Sequence, residues 1–494
     1  MVRGVSGAAV GLASGGSIWG QKKRGTMMGL LDLSARDVSA KMAAGEISAV
    51  ALMRATLDRI GAVNGAVNAI VSLRDAKDLM AEAAAADAGP RKGWLHGIPM
   101  AVKDLVATKG IRTTWGSPVF GDVVPSADDV LAQRLKAAGA ILIGKSNVPE
   151  FGLGSHSYNP VFGVTRNPYD LSRSAGGSSG GAAAALAARM VSVADGSDMM
   201  GSLRNPGGWC NVYGMRPSHG VVPGDPQGEM LLHPLSTLGP MARNPGDLAA
   251  LLETLSGPDP LQPVGADFVA GDLNASMAGK RIGWLGDWGS AFPMEDGIVG
   301  LTEAALEVFA QLGCTVEAVA PLYPAEKIWF SWTTLRSWAV AGKQGALYDD
   351  PATRDLLKPA LVWEIENGRA LSNADILRAS AIRSEWFRAA ARALQHYDAL
   401  VLPTAQVWPF PAEWDWPKQI NGQAMDTYHR WMEVVIAVSL IGLPAVNLPA
   451  GFGPQGLPLG MQLIGARGAD RALLQMAEAY HRETDWPGKH PPML

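Results

Sequence analysis

The sequence predicts an α/β fold in which one central β-sheet is covered by helices on both faces. Segments with helical caps alternate with short apolar runs along the chain, and strands that lack a polar face are typical of buried sheets. Of the 494 residues, 48% are hydrophobic and 18% are charged, a composition that suits a compact core. The same alternation continues on both sides of a Pro/Gly-rich loop at 257–263, so we expect one large domain.

Cap residues and apolar runs locate the elements in chain order. Ser34 caps the first helix, Gly45 ends it, and a second helix follows Ser48. Further helices are predicted at 75–86, 128–138, 248–255 and 299–312. Strands or strand-like apolar runs are predicted at 69–71, 97–104, 140–145, 191–194, 280–284, 314–319, 399–401 and 445–448.

Residues 1–29 are expected to lie outside this domain, which would span 30–494. They form a flexible leader or result from a start codon assigned too early, with Met27 or Met28 as the true start. The segment is rich in Gly and Ser, and its basic run, Lys22–Arg24, follows the small residues instead of preceding them. That order is wrong for a signal peptide.

Composition excludes several classes of partner. The net charge of −4 provides no basic field for nucleic acid or an anionic membrane, and no apolar run of about 18 residues could span a bilayer. Two cysteines, Cys210 and Cys314, cannot form a disulfide framework, and we expect buried thiols in a reducing, cytoplasmic setting. No His, Cys and carboxylate cluster has ligand spacing, so no metal or cofactor is expected.

The second half of the chain is rich in tryptophan, with 12 of the 16 Trp residues from Trp284 onward. Such residues fill cores, but they also line pockets for apolar ligands. We therefore expect the part at about 280–440 to contribute a substrate pocket. The loop 409–417, with three prolines and two tryptophans, is expected to be an ordered lid.

Lys103 is the first candidate for chemistry. It ends an apolar run, and burial disfavours an ammonium group, which lowers its pKa and allows lysine to act as a base near neutral pH. The alternative is a lysine at a strand end that pairs with Asp104. The local sequence alone leaves both interpretations open.

Ser178 and Ser179 lie in a glycine-rich loop, Gly176 to Gly181, just before an Ala-rich helical segment. The loop could cap the helix or hold a phosphate, but it lacks the Lys-Ser/Thr ending of a P-loop. It also matches the G-x-S-x-G elbow, which would make Ser179 the nucleophile and would require a downstream Asp and His. The histidines available, none in a recognisable setting, are His219, His233, His396, His429, His481 and His490.

Ser202 follows a second glycine-containing corner. Successive backbone N–H groups in such a turn can converge on a developing oxyanion. A serine hydroxyl is a weak nucleophile that needs a base, and lysine can replace histidine in that role. Without a visible base, Ser202 could equally be a structural turn residue.

Several ordered motifs resemble the amidase signature family over about residue 30 to the end. The matching segments are Gly97–Asp104, Gly144–Asn147, Glu150–Gly152, Thr165–Pro168, Gly176–Gly181, Gly196–Pro206, Gly214–Ser218 and Gly442–Gly451. The core motifs lie within 95–220. This resemblance implies a mixed, twisted central sheet covered by helices on both faces, and a Ser–cis-Ser–Lys triad.

The resemblance implies a role for each site residue. Carried over, Ser202 attacks the carbonyl carbon, Ser178 follows a cis peptide bond and relays the proton, and Lys103 is the base. Three more residues, Ser197, Asp198 and Arg204, would support the loop. The oxyanion hole would be formed by the backbone N–H groups of Met199, Met200, Gly201 and Ser202.

One departure from the family concerns the residues before the nucleophile. Family members usually carry Gly-Gly there, where this chain has Met200-Gly201 preceded by Met199. If the first glycine position needs a positive φ, methionine would be strained. If not, the two methionines put apolar bulk beside the scissile bond, and this second interpretation is the one we favour.

The expected function is hydrolysis of the C–N bond of small-molecule amides through an acyl-enzyme on Ser202. Apolar acyl or aryl amides are favoured by the tryptophans and the low charge, and esters or carbamates (urethanes) are further expected substrates. The alternative is the A subunit of a tRNA-dependent amidotransferase, which works as a glutaminase in a complex. Many relatives form homodimers, so a homodimer is one expected assembly.

Overall fold

The computed structural model describes residues 29–224, 229–232 and 234–494. Residues 1–28 of the predicted leader (1–29) and His233 lie outside the described residues. The α-helices are α1 (Ala35–Ala43), α2 (Ala49–Val67), α3 (Ala76–Ala88), α4 (Val130–Ala137), α5 (Gly180–Ala187), α6 (Arg204–Trp209), α7 (Pro245–Leu255), α8 (Ile298–Gln311), α9 (Ala325–Asp349), α10 (Pro351–Arg354), α11 (Pro359–Ala370), α12 (Asn373–Ala393), α13 (Ile436–Ile441), α14 (Asp470–Thr484) and α15 (Trp486–Lys489).

The strands are β1 (Ile70–Val71), β2 (Pro99–Lys103), β3 (Ile141–Ser146), β4 (Tyr158–Asn159), β5 (Gly163–Val164), β6 (Arg166–Asn167), β7 (Asp170–Ser174), β8 (Val193–Asp198), β9 (Tyr213–Arg216), β10 (Thr237–Ala242), β11 (Arg281–Trp284), β12 (Thr315–Ala318), β13 (Ala399–Pro403), β14 (Gln419–Ile420), β15 (Gln423–Ala424), β16 (Ala445–Phe452) and β17 (Pro458–Ile464). The predicted caps are confirmed, because Ser34 Oγ accepts from the Asp37 N–H and Ser48 Oγ from the Ala51 N–H.

The large sheet has eight strands in the order β12-β11-β13-β17-β16-β9-β10-β8. It is mixed, as expected, since β11 runs parallel to β12 and β13 while the other pairs are antiparallel. Successive β13 residues alternate between two cores: Val401 packs on the side of α7, α8 and α14, and Leu400 and Leu402 on the side of α9, α12 and α13. The sheet is therefore covered by helices on both faces.

A second, smaller sheet carries the first three strands, in the order β1-β3-β2. The predicted central sheet is present but does not include β2, which is an outer strand of the small sheet and lies beside β8, an outer strand of the large one. Helix α5 packs against both sheets. Its residues are Gly, Ala and Leu, and this lack of bulk lets the two sheets come close together.

The Pro/Gly-rich loop after α7 does not divide the chain into two domains. Arg134 on α4 donates hydrogen bonds to the carbonyl oxygens of Leu255, Ser256, Gly257 and Pro258, at 2.5–3.1 Å. This contact ties the loop to the first half of the chain, in agreement with a single large domain. Both cysteines are buried and free.

Within the described residues, no helix is both long enough and apolar enough to cross a bilayer.

Candidate active site

Lys103, the last residue of β2, is fully buried and its ammonium group contacts three serines. The Nζ atom lies 2.9 Å from Ser178 Oγ, 2.8 Å from Ser179 Oγ and 2.9 Å from Ser197 Oγ. The alternative partner, Asp104, turns away and accepts from the backbone N–H and hydroxyl of Thr114. The structure thus brings Lys103 and Ser178 together and does not pair Lys103 with its neighbour.

The surroundings of Lys103 suit a base. Burial lowers the pKa of its amine to about 7, and this effect outweighs the opposing attraction of the Asp195 and Asp198 carboxylates. At neutral pH a large fraction of the Lys103 side chain is then uncharged. An uncharged amine 2.9 Å from the Ser178 hydroxyl can accept its proton.

The loop that carries Ser178 has the expected cis peptide bond, between Gly177 and Ser178. Glycines flank it because the loop and the start of α5 lie close to the backbone of Asn147 and the side chain of Ser157. A Cβ on Gly181 would lie 2.2 Å from the Asn147 nitrogen, and one on Gly180 would lie 2.4 Å from Ser157 Oγ. Only glycine fits at these two positions.

Ser202 lies on the neighbouring loop, 5% exposed. The two serine loops are joined by a hydrogen bond from the Ser179 N–H to the Ser202 carbonyl oxygen, at 3.3 Å. A second one runs from the Gly177 N–H to Asn205 Oδ1, also at 3.3 Å. The structure therefore places Ser178 and Ser202 on adjoining loops that are held together.

Of the four backbone N–H groups predicted to form the oxyanion hole, one already has a hydrogen-bond acceptor inside the protein. The Gly201 N–H donates to Asp198 Oδ1 at 2.9 Å, so it is already used. Within the described residues, no acceptor is within hydrogen-bond distance of the N–H groups of Met199, Met200 and Ser202. These three are the groups that remain for a substrate oxygen.

Gly201, directly before Ser202, occupies a position that favours glycine. Its φ is +80°, a backbone conformation that disfavours a side chain, and a Cβ there would lie 2.7 Å from Val435 Cγ2. Neither Met199 nor Met200 has a positive φ. The methionines are therefore not strained, and the positive-φ requirement falls on Gly201 alone.

Asp198 is the centre of the network that shapes this loop. Its carboxylate accepts from the Gly201 and Leu203 N–H groups, and from Arg204 Nε and Nη2 at 2.9 Å each. Burial acts to raise the pKa of Asp198, but Arg204 and Arg216 more than offset this and hold it well below the usual range. Asp198 is therefore anionic and fixes the turn.

The two methionines occupy different environments. Met200 is 4% exposed and packs in the core beside α9 and α13. Met199 is half-buried, and its sulfur accepts from Arg336 Nη1 at 3.0 Å. Met199 is thus the more exposed of the two, and the interpretation that both methionines put apolar bulk beside the scissile bond stays a prediction.

Arg336, on α9, belongs to a buried polar cluster that the sequence did not indicate. Its Nε donates to Glu364 Oε1 and its Nη2 to the Tyr428 hydroxyl, both at 2.7 Å. Tyr428 in turn donates to Glu364 at 2.7 Å. The guanidinium charge is therefore compensated inside the protein.

Aromatic residues adjoin the loop that carries Ser178. A Cβ on Gly176 would lie 3.2 Å from the Trp209 ring, which stacks on Trp431 at 5.8 Å between centroids. Phe410 packs edge-on against both tryptophans. Phe410 lies in the predicted lid, and this loop is hydrogen-bonded to β7 through Ser174 N–H to Phe410 O at 2.8 Å.

Three features near Lys103 and Ser178 were not predicted. Ser179, considered as an elbow nucleophile, is fully buried and contacts Lys103, and no histidine hydrogen-bonds to it in the described part. Gly152 lies next to the Ser178 side chain, since a Cβ at position 152 would be 3.5 Å from Ser178 Oγ. Asp195 accepts the backbone N–H of Lys103. In sequence, only Asp195, an acid directly after the apolar run 191–194, gave a signal that could have been noticed.

Comparison with known proteins finds relatives that match most of the chain. The Amidase family model matches residues 51–474. The glutamyl-tRNA(Gln) amidotransferase A subunit from Moorella thermoacetica is 35% identical, covering 94% of this chain and 99% of its own. An acylamidase from Rhodococcus erythropolis is 30% identical, covering 93% and 97%. The crystal structure of a bacterial aryl acylamidase matches with a TM-score of 0.87 and 28% identity, covering 94% and 99%.

The fold and the site define a hydrolase that acts on C–N bonds. More particularly, the chain belongs to the amidase signature family.

Proposed function

We propose that this protein hydrolyses apolar acyl or aryl amides through an acyl-enzyme on Ser202. The single observation that carries the proposal is the buried contact of 2.9 Å between Lys103 Nζ and Ser178 Oγ. It provides an amine that is partly uncharged at neutral pH beside a serine that adjoins Ser202.

The first half-reaction transfers the acyl group. Ser202 Oγ attacks the amide carbonyl carbon while its proton passes to Ser178, whose own proton passes to Lys103. The oxygen of the tetrahedral intermediate accepts from the N–H groups of Met199, Met200 and Ser202. The C–N bond then breaks, and the proton returns from Lys103 through Ser178 to the leaving amine.

The second half-reaction restores the enzyme. Water attacks the Ser202 ester, and Lys103 takes the proton of the water through Ser178. The intermediate collapses, Ser202 regains its proton, and a carboxylic acid leaves. Ser197 and Ser179 hold the Lys103 amine in place, while Asp198 and Arg204 hold the loop of Ser202.

The preference for apolar substrates rests on the groups around Ser202. Met199 is the partly exposed residue of the turn 199–202, and Val435 packs against Gly201. The neighbouring cation, Arg336, is already paired with Glu364, so it offers little to a charged substrate. An acylamidase and an aryl acylamidase are among the proteins that this chain resembles.

A substrate panel tests the proposal. Purified protein is assayed against matched anilides, primary amides, esters and carbamates with short and aryl acyl groups, with Ser202→Ala as the control. We expect kcat/KM to be highest on an anilide or an apolar amide, and activity to be absent in Ser202→Ala. Undiminished turnover in that variant would refute the acyl-enzyme on Ser202.

A second candidate is the glutaminase component of a tRNA-dependent amidotransferase, supported by the 35% identity to the A subunit from Moorella thermoacetica. The two candidates differ in their requirement for partners. Release of ammonia from glutamine, with no turnover of the apolar panel by the isolated chain, would favour the glutaminase.

A further inference from the structure

Asp195 is a buried carboxylate that the proposed reaction leaves unused. It lies in the middle of β8 and is fully buried. Its two oxygens accept from the backbone N–H of Lys103, at 3.1 and 3.3 Å. A buried carboxylate that accepts from a single N–H group is costly to keep ionised, so its presence at this position calls for a reason.

The position of Asp195 follows from how the two sheets meet. β2 and β8 are outer strands of different sheets, and they lie side by side without a shared ladder. The Lys103 N–H on β2 therefore needs an acceptor from elsewhere. Asp195 provides it, and so joins the sheet of the base to the sheet that leads into the Ser202 loop.

Charged groups surround this pair on several elements. On the small sheet, the Lys145 ammonium on β3 donates to Val106 O and Thr108 Oγ1, and Asp104 accepts from Thr114. On the large sheet, Asp198 is bound by Arg204 and Arg216. Helix α5 and strand β10 bring no ionisable side chain.

The charge of Asp195 acts on Lys103. Burial raises the pKa of Asp195 to about 6, against the lowering effects of the Lys103 N–H, Lys145 and Lys103. The anion favours the ammonium form of Lys103 and so opposes the effect of burial there. Above pH 6, Asp195 is thus mostly ionised.

We propose that Asp195 is a positioning residue that fixes the main chain of Lys103 between the two sheets, and that its charge sets the pH above which Lys103 acts as a base. The inference rests on the proposed role of Lys103. Since the Asp195 anion stabilises the ammonium form of Lys103, removal of the Asp195 charge allows Lys103 to act as a base at lower pH.

The test compares pH profiles of kcat/KM on the best anilide for wild type, Asp195→Asn and Asp195→Ser. Asn keeps an acceptor for the Lys103 N–H and removes the charge. We expect its acid limb to move down by about one pH unit, with kcat at the plateau within about threefold of wild type. Asp195→Ser should show the same shift and a larger fall in kcat, because the shorter side chain holds Lys103 less well.

Asp247→Asn is the matched control, because Asp247 is also a buried carboxylate that accepts backbone N–H groups, those of Ala35 and Arg36. It should leave the acid limb unchanged. An Asp195→Asn limb that coincides with wild type, or failure of both Asp195 variants to fold by circular dichroism, would overturn the proposal. Persistent turnover in Ser202→Ala would instead refute the proposed function.

Discussion

The two sides of the candidate site are built in different ways. One side is Lys103 with four serines, Ser178, Ser179, Ser197 and Ser202, held by glycines and by neighbouring backbone. The other side is formed by large residues from separate parts of the chain, such as Met199 after β8, Arg336 on α9 and Tyr428 before α13. Changes to the first side should act mainly on kcat, and changes to the second mainly on KM and stability.

The largest effect is expected from Lys103→Ala. Without the base, Ser178 has no group to receive its proton, so kcat on an anilide at pH 7 should fall by about 10³–10⁴-fold. Steady-state kinetics measure the loss, and circular dichroism establishes that the variant is folded. Activity near that of wild type at neutral pH would show that another group is the base.

Gly201→Ala should have the next largest effect. The new Cβ would lie 2.7 Å from Val435 Cγ2, and the residue would keep a φ of +80°. We expect kcat to fall by about 10²-fold as the oxyanion turn shifts. The double variant Gly201→Ala/Val435→Ala removes the contacts with both Cγ atoms but keeps the Val435 Cβ at 2.9 Å, and residue 201 keeps its positive φ, so it should recover only part of the loss. Full recovery would contradict the conformational explanation.

The pH dependence should be the third largest effect. With the Lys103 pKa lowered to about 7, the neutral base is lost as pH falls through that value. Below it, kcat/KM should decrease by about tenfold per pH unit, and above it the profile should be flat until another group titrates. An acid limb near pH 10 would mean that burial does not depress the pKa of Lys103.

The smallest effects should separate the two methionines, and each variant is the control for the other. Met200→Ala leaves a cavity in the core and should lower the free energy of unfolding by about 2–5 kcal/mol. Met199→Ala should change stability by less and alter KM for bulky acyl groups a few-fold, since its side chain is half-buried beside Arg336. Denaturant unfolding and KM measurements distinguish the two variants. A larger loss of stability in Met199→Ala, or a KM change confined to Met200→Ala, would contradict this assignment.

The sequence predicted the first side of the site better than the second for a physical reason. Glycines at 180, 181 and 201 are required by close backbone contacts or a positive φ, and such requirements appear directly as residue types in short motifs. The role of Arg336 depends on Glu364, which is 28 residues away on another helix. No sequence pattern predicts the ion pair of Arg336 and Glu364, because either residue would also be suitable on an exposed helix surface.

The same distinction holds for the fold. Caps such as Ser34 and Ser48 and most of the predicted strands lie close to their observed bounds, since local chemistry sets them. Three strands of the large sheet, β9, β10 and β17, were not predicted. The split into two sheets was not predicted. An apolar run indicates a strand but does not show which strands pair with it. β2 pairs only with β3, and this pairing depends on contacts between distant parts of the chain.

Helix α5 has a consequence for how such an enzyme could be tuned. It is a spacer between the sheet that carries Lys103 and the sheet that leads to Ser202, and its Gly and Ala residues between Gly180 and Ala187 make it thin for a helix. The distance between Lys103 and Ser202 therefore depends on the small side chains of this helix. Variation along this helix could adjust the rate of proton transfer without changing any residue that a substrate touches.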